Sequence, residues 1–127
     1  MMRSKPIRRV RLTPYRGGRK DEPRFELTLW DTNCFDVYGR RRLRYQLVVF
    51  DGSIPTIIFD GDDFHCSLPI DSDKVVVDVA RFLTKLRVPL CLGRSMLCPG
   101  NASQRNFVER HGKALEAEVC RRFMRKE

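Results

Sequence analysis

The strongest constraint in this chain is an alternation of period two that runs, with two interruptions, from Phe25 to Phe64. Over residues 25–31, apolar Phe25, Leu27 and Leu29 alternate with Glu26 and Thr28, as in a strand with one face in a core and the other in water. The pattern resumes at Leu43, Tyr45, Leu47 and Val49, with Arg44 and Gln46 on the opposite face. Between them, Asp36-Val37-Tyr38-Gly39-Arg40 supplies turn chemistry, because Gly39 takes a positive φ without strain. Asp51-Gly52 closes a second hairpin. Residues 54–59 then form a third strand, and Pro55 near its start marks an edge position. Two hairpins in series predict an antiparallel meander, one face of which needs a cover.

The flanking segments supply that cover. Residues 7–15 extend the sheet as a fourth strand, with Val10 and Leu12 alternating against Arg9 and Arg11. Pro6 and the arginine density assign it to an edge. Residues 60–69 read as a polar loop leading to a helix that starts in Ile70-Asp71-Ser72-Asp73, capped by Asp71 or Ser72. Val75-Val76-Val77 favours strand by propensity. Val76, Val79, Ala80 and Leu83, supported by Val75, Phe82 and Leu86, nevertheless keep helical spacing, so the reading is helix. Residues 88–103 show no period and read as an apolar loop with two prolines and two glycines. A second helix follows, with Ser103 as its cap and a stripe of Val108, His111, Leu115 and Val119 backed by Phe107, Ala114 and Phe123. Glu109 with Lys113 and Glu118 with Arg122 are expected as pairs four residues apart. The expected fold is α+β: an antiparallel meander of three or four strands with two helices packed on one face.

At 127 residues, 42% hydrophobic and 32% charged, the chain suits one domain with its own core and excludes a disordered polymer. The expected organisation is a basic arm or edge strand over residues 1–22 and a single α+β domain over 23–127. No run of about 18 apolar residues marks a membrane span, and the basic start lacks the apolar stretch of a secretory signal. Cys34, Cys66, Cys91, Cys98 and Cys120 are odd in number and irregularly spaced, which points to reduced thiols and a cytoplasmic setting.

The net charge of +9 is unevenly distributed: residues 1–20 carry eight Lys or Arg and no acid, while residues 51–73 carry six Asp and no Lys or Arg. The arm reads either as a solvated tail that keeps the protein soluble, or one that docks on the chain's own acidic segment, or as a footprint for an acidic partner.

Leu27-Thr28-Leu29-Trp30-Asp31-Thr32, Gly39, Leu43-x-Tyr45-x-Leu47, Phe59-x-Gly61-x-Asp63-Phe64-x-Cys66-Ser67, Ile70-Asp71-Ser72-Asp73 and Phe82-Leu83-Thr84 together carry a resemblance. Over roughly residues 24–87 the chain resembles a group of small bacterial proteins, which implies the strand–strand–strand–helix order and no activity. Residues 88–103 depart from that group, with cysteines, leucines and prolines where it tends to be polar and acidic.

Residues carrying recognisable chemistry are sparse. Asp60, Asp62, Asp63, His65 and Cys66 fall within seven residues, a donor set suited to a divalent cation but with the spacing of no familiar site. The alternative is a solvated turn whose aspartates satisfy backbone N–H groups. Cys66 and His65 are neighbours, which an extended strand points to opposite faces, so they make a poor nucleophile and base. The sequence carries no phosphate-cradling loop, nucleophile elbow or cofactor fingerprint. It therefore reads as a non-catalytic binding module that needs no cofactor or metal. The alternative is a basic nucleic-acid-binding protein using Arg8, Arg9, Arg11, Arg16, Arg19 and Lys20 of the arm and Arg40, Arg41, Arg42 and Arg44 of the hairpin tip. The partner chemistry is an acidic protein surface or nucleic acid, and not a membrane.

Overall fold

The computed structural model describes residues 5–15, 22–52, 54–67, 69–85 and 102–124. Its elements are β1 (Arg8–Leu12), β2 (Arg24–Phe35), β3 (Arg41–Asp51), β4 (Ile54–Cys66), α1 (Asp73–Lys85) and α2 (Ala102–Phe123). The strands form one antiparallel sheet in the order β1-β2-β3-β4, and both helices lie on one face of it. The expected α+β meander is thus the observed fold, with the fourth strand present and β1 and Pro55-bearing β4 at the two edges.

Cross-strand register follows the alternation. Val10, Leu27, Leu47 and Phe59 stand side by side across the four strands, and all point into the core. The helices close this layer with Val76, Val79, Leu83, Leu115 and Val119, each such side chain contributing about 1.5–3 kcal/mol by leaving water. Gly39 (φ 81°) and Gly52 (φ 77°) take the left-handed conformation in the two hairpins. A third non-standard position, Asn33 (φ 62°), sits where the β2–β3 register slips. Asp31 Oδ1 accepts from its N–H at 2.8 Å, the local bonding that lets an Asn tolerate this region.

Residues 60–66 correct the sequence reading, for they are strand rather than loop. Aspartate is a poor strand former, but the cross-strand neighbours here are arginines: Arg44 pairs with Asp60 at 3.2 Å and Arg42 with Asp62 at 3.0 Å. Opposite charges across a ladder stabilise it. Gly61 lies opposite Tyr45, whose hydroxyl donates to Asp63 Oδ1 at 2.6 Å. A Cβ on Gly61 would sit 2.5 Å from that hydroxyl oxygen, so any side chain there would have to push the Tyr45 ring aside. Burial and the Asp63 hydrogen bond push the Tyr45 phenol well above its ordinary pKa.

Val75, Val76 and Val77 are all buried within α1, so packing overrides their strand propensity. Ser72 precedes the helix, but its hydroxyl finds no hydrogen-bond partner among the described residues. Instead Arg8 binds Asp71 O and Asp73 Oδ1, both at 3.1 Å, tying the helix start to β1. In α2, Ser103 falls inside the first turn rather than capping it. Glu118 pairs with Arg121 at 2.9 Å rather than with Arg122, because Arg122 reaches the Arg11 carbonyl. The expected loop, apart from Ala102 and Ser103, lies outside the described residues, as does Leu86.

Candidate functional site

With both helices on one side, no other described element covers the far side of the sheet, and the register arranges its side chains in rows. Arg9, Thr28, Gln46 and Asp60 form one row; Arg11, Glu26, Val48 and Ile57 form the next; Arg24, Phe50 and Pro55 form a third. Successive rows are about 7 Å apart, two residues at ~3.4 Å each.

On the β3–β4 half, charge is cancelled within the sheet. Asp62 receives Arg42 through its carboxylate and, at 2.6 Å, its carbonyl. Arg44 is held between Asp60 and the Trp30 ring, 4.8 Å from the ring centroid, and Gln46 donates to the same Asp60 at 3.3 Å. The hairpin tip repeats the arrangement. Arg41 pairs with Asp31 at 2.6 Å and lies over Phe35; Arg40 pairs with Asp36 at 2.8 Å and lies over Tyr38. Burial alone would raise the Asp36 carboxyl, but N–H donors from Arg40 and Tyr38 and the Arg40 guanidinium outweigh it, holding the pKa at about 2. His65 Nδ1 is 3.0 Å from the same carboxylate.

The β1–β2 half is different. Arg9 and Arg24 are exposed and have no ion-pair partner among the described residues, while Arg11, its side chain 86% exposed, reaches only Glu26 at 3.5 Å. Arg24 lies 5.8 Å from the centroid of the Phe50 ring. Together with Thr13, Phe25 and Glu26, Arg11, Arg24 and Phe50 line a hollow of about 250 Å³. Guanidinium groups beside an accessible ring combine anion binding with stacking.

The arginines singled out from sequence therefore divide. Arg9 and Arg11 point outward from β1, whereas Arg8 turns the other way, to Asp73 and the Phe123 ring. Arg40, Arg41, Arg42 and Arg44 are brought together but each has an aspartate partner. Arg16, Arg19 and Lys20 lie outside the described residues. Sequence reading missed Arg24, Trp30 and Phe50, although all three stand at outward positions of the alternation.

Among the described residues no group of three or more His, Cys, Asp or Glu side chains is placed to hold a metal ion. Asp60, Asp62, Asp63 and His65 are engaged with Arg44, Arg42, Tyr45 and Asp36. The solvated-turn reading falls with the loop. Cys66 is buried, Cys34 is exposed, and Cys120 lies 3.5 Å from Arg81 Nη2; Cys91 and Cys98 lie outside the described residues. His111 is bonded to the Tyr15 hydroxyl at 2.5 Å, among Phe25 and Phe107. Burial, and then Arg110, lower its pKa against a smaller opposing pull from Asp51. No helix among the described residues is long and apolar enough to cross a membrane. Compared with family models, curated proteins and solved structures, the chain matches none.

Proposed function

We propose that this chain is a non-catalytic binding module, cytoplasmic in its setting, that receives its partner on the open face of the sheet. The observation that carries this reading is the asymmetry of the sheet. Its inner face is closed by α1 and α2, while its outer face presents Trp30 and Phe50 with arginines stacked on them and Ile57 at 56% exposure. Arginine and aromatic side chains are the groups that most often anchor interfaces.

Capture from a cell lysate with three proteins tests the reading: the unaltered chain, a Trp30→Ala/Phe50→Ala variant, and a helix-side control, Glu109→Ala/Lys113→Ala. Retained protein, nucleic acid and small molecules are each quantified. The expected result is a saturable ligand, recovered chemically unchanged, that the sheet variant loses and the control keeps. A ligand held equally by all three, or one released as a product, would overturn the proposal.

A further inference from the structure

We infer that the β1–β2 half of the open face binds single-stranded nucleic acid, with a base seated in the hollow against Phe50 and phosphates met by Arg24, Arg11 and Arg9. This rests on the open face being the binding surface and names the chemistry of its partner.

Charge is the first argument. Four arginines at β3 and the hairpin tip are neutralised one by one, so they add little outward field. Among the described residues, Arg11 pairs with Glu26 while Arg9 and Arg24 have no ion-pair partner, which leaves a local excess of positive charge where the side chains are most exposed. Shape is the second. Arg9 and Arg11 stand one row apart on the same strand, roughly 7 Å, and so follow a line rather than a point. A linear polyanion fits that line better than an isolated phosphate.

The hollow discriminates among polyanions. A heparin-like chain or an acidic peptide satisfies arginines but has no flat ring to lay on Phe50. A nucleobase does, and base stacking on aromatic side chains is tolerant of sequence because every base has a π face. Glu26 and Thr13 at the same hollow offer an acceptor and a hydroxyl to the exocyclic groups of a base. A single strand is favoured over a duplex because its bases are free to leave the stack, and no described element projects from the sheet to enter a groove.

The test is a titration of the whole chain into a fluorescent single strand of about 15 nucleotides, at two salt concentrations. The matching duplex, a mononucleotide, heparin and an acidic peptide are the competing arms. The single strand is expected to bind more tightly than any of them at roughly 150 mM salt. Phe50→Leu, which keeps the apolar bulk and removes the ring, should weaken binding about tenfold. Arg9→Gln/Arg11→Gln should lower the salt slope by roughly 1.4, about 0.7 per lost phosphate contact. Arg42→Gln, on the neutralised half, should leave both unchanged, and thermal melts establish that each variant is folded. Affinity that ranks with charge alone and ignores Phe50→Leu would overturn the inference in favour of a general polyanion or acidic-protein surface. Equal affinity for the mononucleotide would overturn it in favour of a free nucleotide. Absence of nucleic-acid binding would also overturn it, and leaves the open-face reading standing if the lysate ligand proves to be something else.

Discussion

Leu47 pairs with Leu27 and Phe59 on the inner face, and a shift of one residue along β2 and β3, two along β4 where the register slips, brings Glu26, Val48 and Ile57 to the outer face. The inner line is sealed by helices, with every member at 1% exposure or less. The outer one mixes a glutamate with two apolar residues, and no described helix covers it. Within the outer face the contrast recurs at finer scale: arginines on β3 each meet an aspartate, while Arg9, Arg11 and Arg24 have one glutamate between them among the described residues. Burial sets the inner face, where an unpaired charge is intolerable. Pairing sets one half of the outer face, and the other is held by a single ion pair, Arg11 with Glu26, among the described residues. The unpaired half contributes least to the fold and is therefore the half free to be used.

The comparison is most severely tested by one charge placed on each face. Val79→Asp is expected to cost on the order of 3–5 kcal/mol, since a carboxylate would enter a site with no exposure. Val48→Asp on the outer face should cost less than about 1 kcal/mol. Denaturant unfolding of both variants checks the pair, and equal losses would break the distinction between the faces.

Gly61→Ala comes next, at about 1–3 kcal/mol, because the new methyl must displace the Tyr45 hydroxyl. Combining it with Tyr45→Phe, which removes the closest atom, should recover part of the loss. A double-mutant cycle with no coupling would show that Tyr45 moves aside freely.

The two halves of the outer face separate at smaller scale. Arg44→Ala and Asp60→Ala should each cost at most about 1 kcal/mol, shrinking at high salt, as exposed pairs do. Arg9→Gln and Arg24→Gln should leave the melting temperature unchanged or slightly raised. A loss larger than that of Arg44→Ala would make the unpaired arginines structural and remove the contrast.

The smallest expected effect is on pH dependence. Burial, and then Arg110, lower the His111 pKa in the fold below the unfolded value near 6.5. As pH falls from that value through the lowered folded pKa, the unfolded chain takes up the proton first, and stability declines across that window. Melting curves between pH 7 and 5 should show this decline in the unaltered chain and a shallower one in His111→Gln. A melting temperature that rises on acidification would mean that the imidazolium is the favoured form in the fold.

The meander was legible because alternation is a local signal: residues 25–29 and 43–49 declare their inward positions unaided. Helix α1 was legible despite three valines because its apolar stripe outweighed propensity. Residues 60–66 were not, since aspartates read one by one signal a loop, and their arginine partners lie 16 and 20 residues upstream. Only register brings them together, and register also depends on the slips beside Asn33 and Gly61. The candidate site was partly legible: Arg9 and Arg11 were singled out, but the run of arginines at 40–44 drew equal weight before its aspartates were in place. Phe50 and Arg24 stand at opposite ends of a hairpin, and nothing local announces that they meet.

The contacts that residues 8–15 make with α2 carry a consequence for synthesis. Tyr15 meets His111, Arg8 meets Phe123 and Arg122 meets the Arg11 carbonyl, contacts separated by 96 to 115 residues (123 − 8 = 115). While the ribosome is still making α2, Val10, Leu12 and Phe25 have no final cover, and closing so long a loop is slow. The nascent sheet must therefore wait with an apolar face exposed, the condition in which chains stick to one another or recruit chaperones. A ribosome-stalled intermediate ending near residue 100 should bind a hydrophobic dye that the finished chain does not, and release it once α2 emerges.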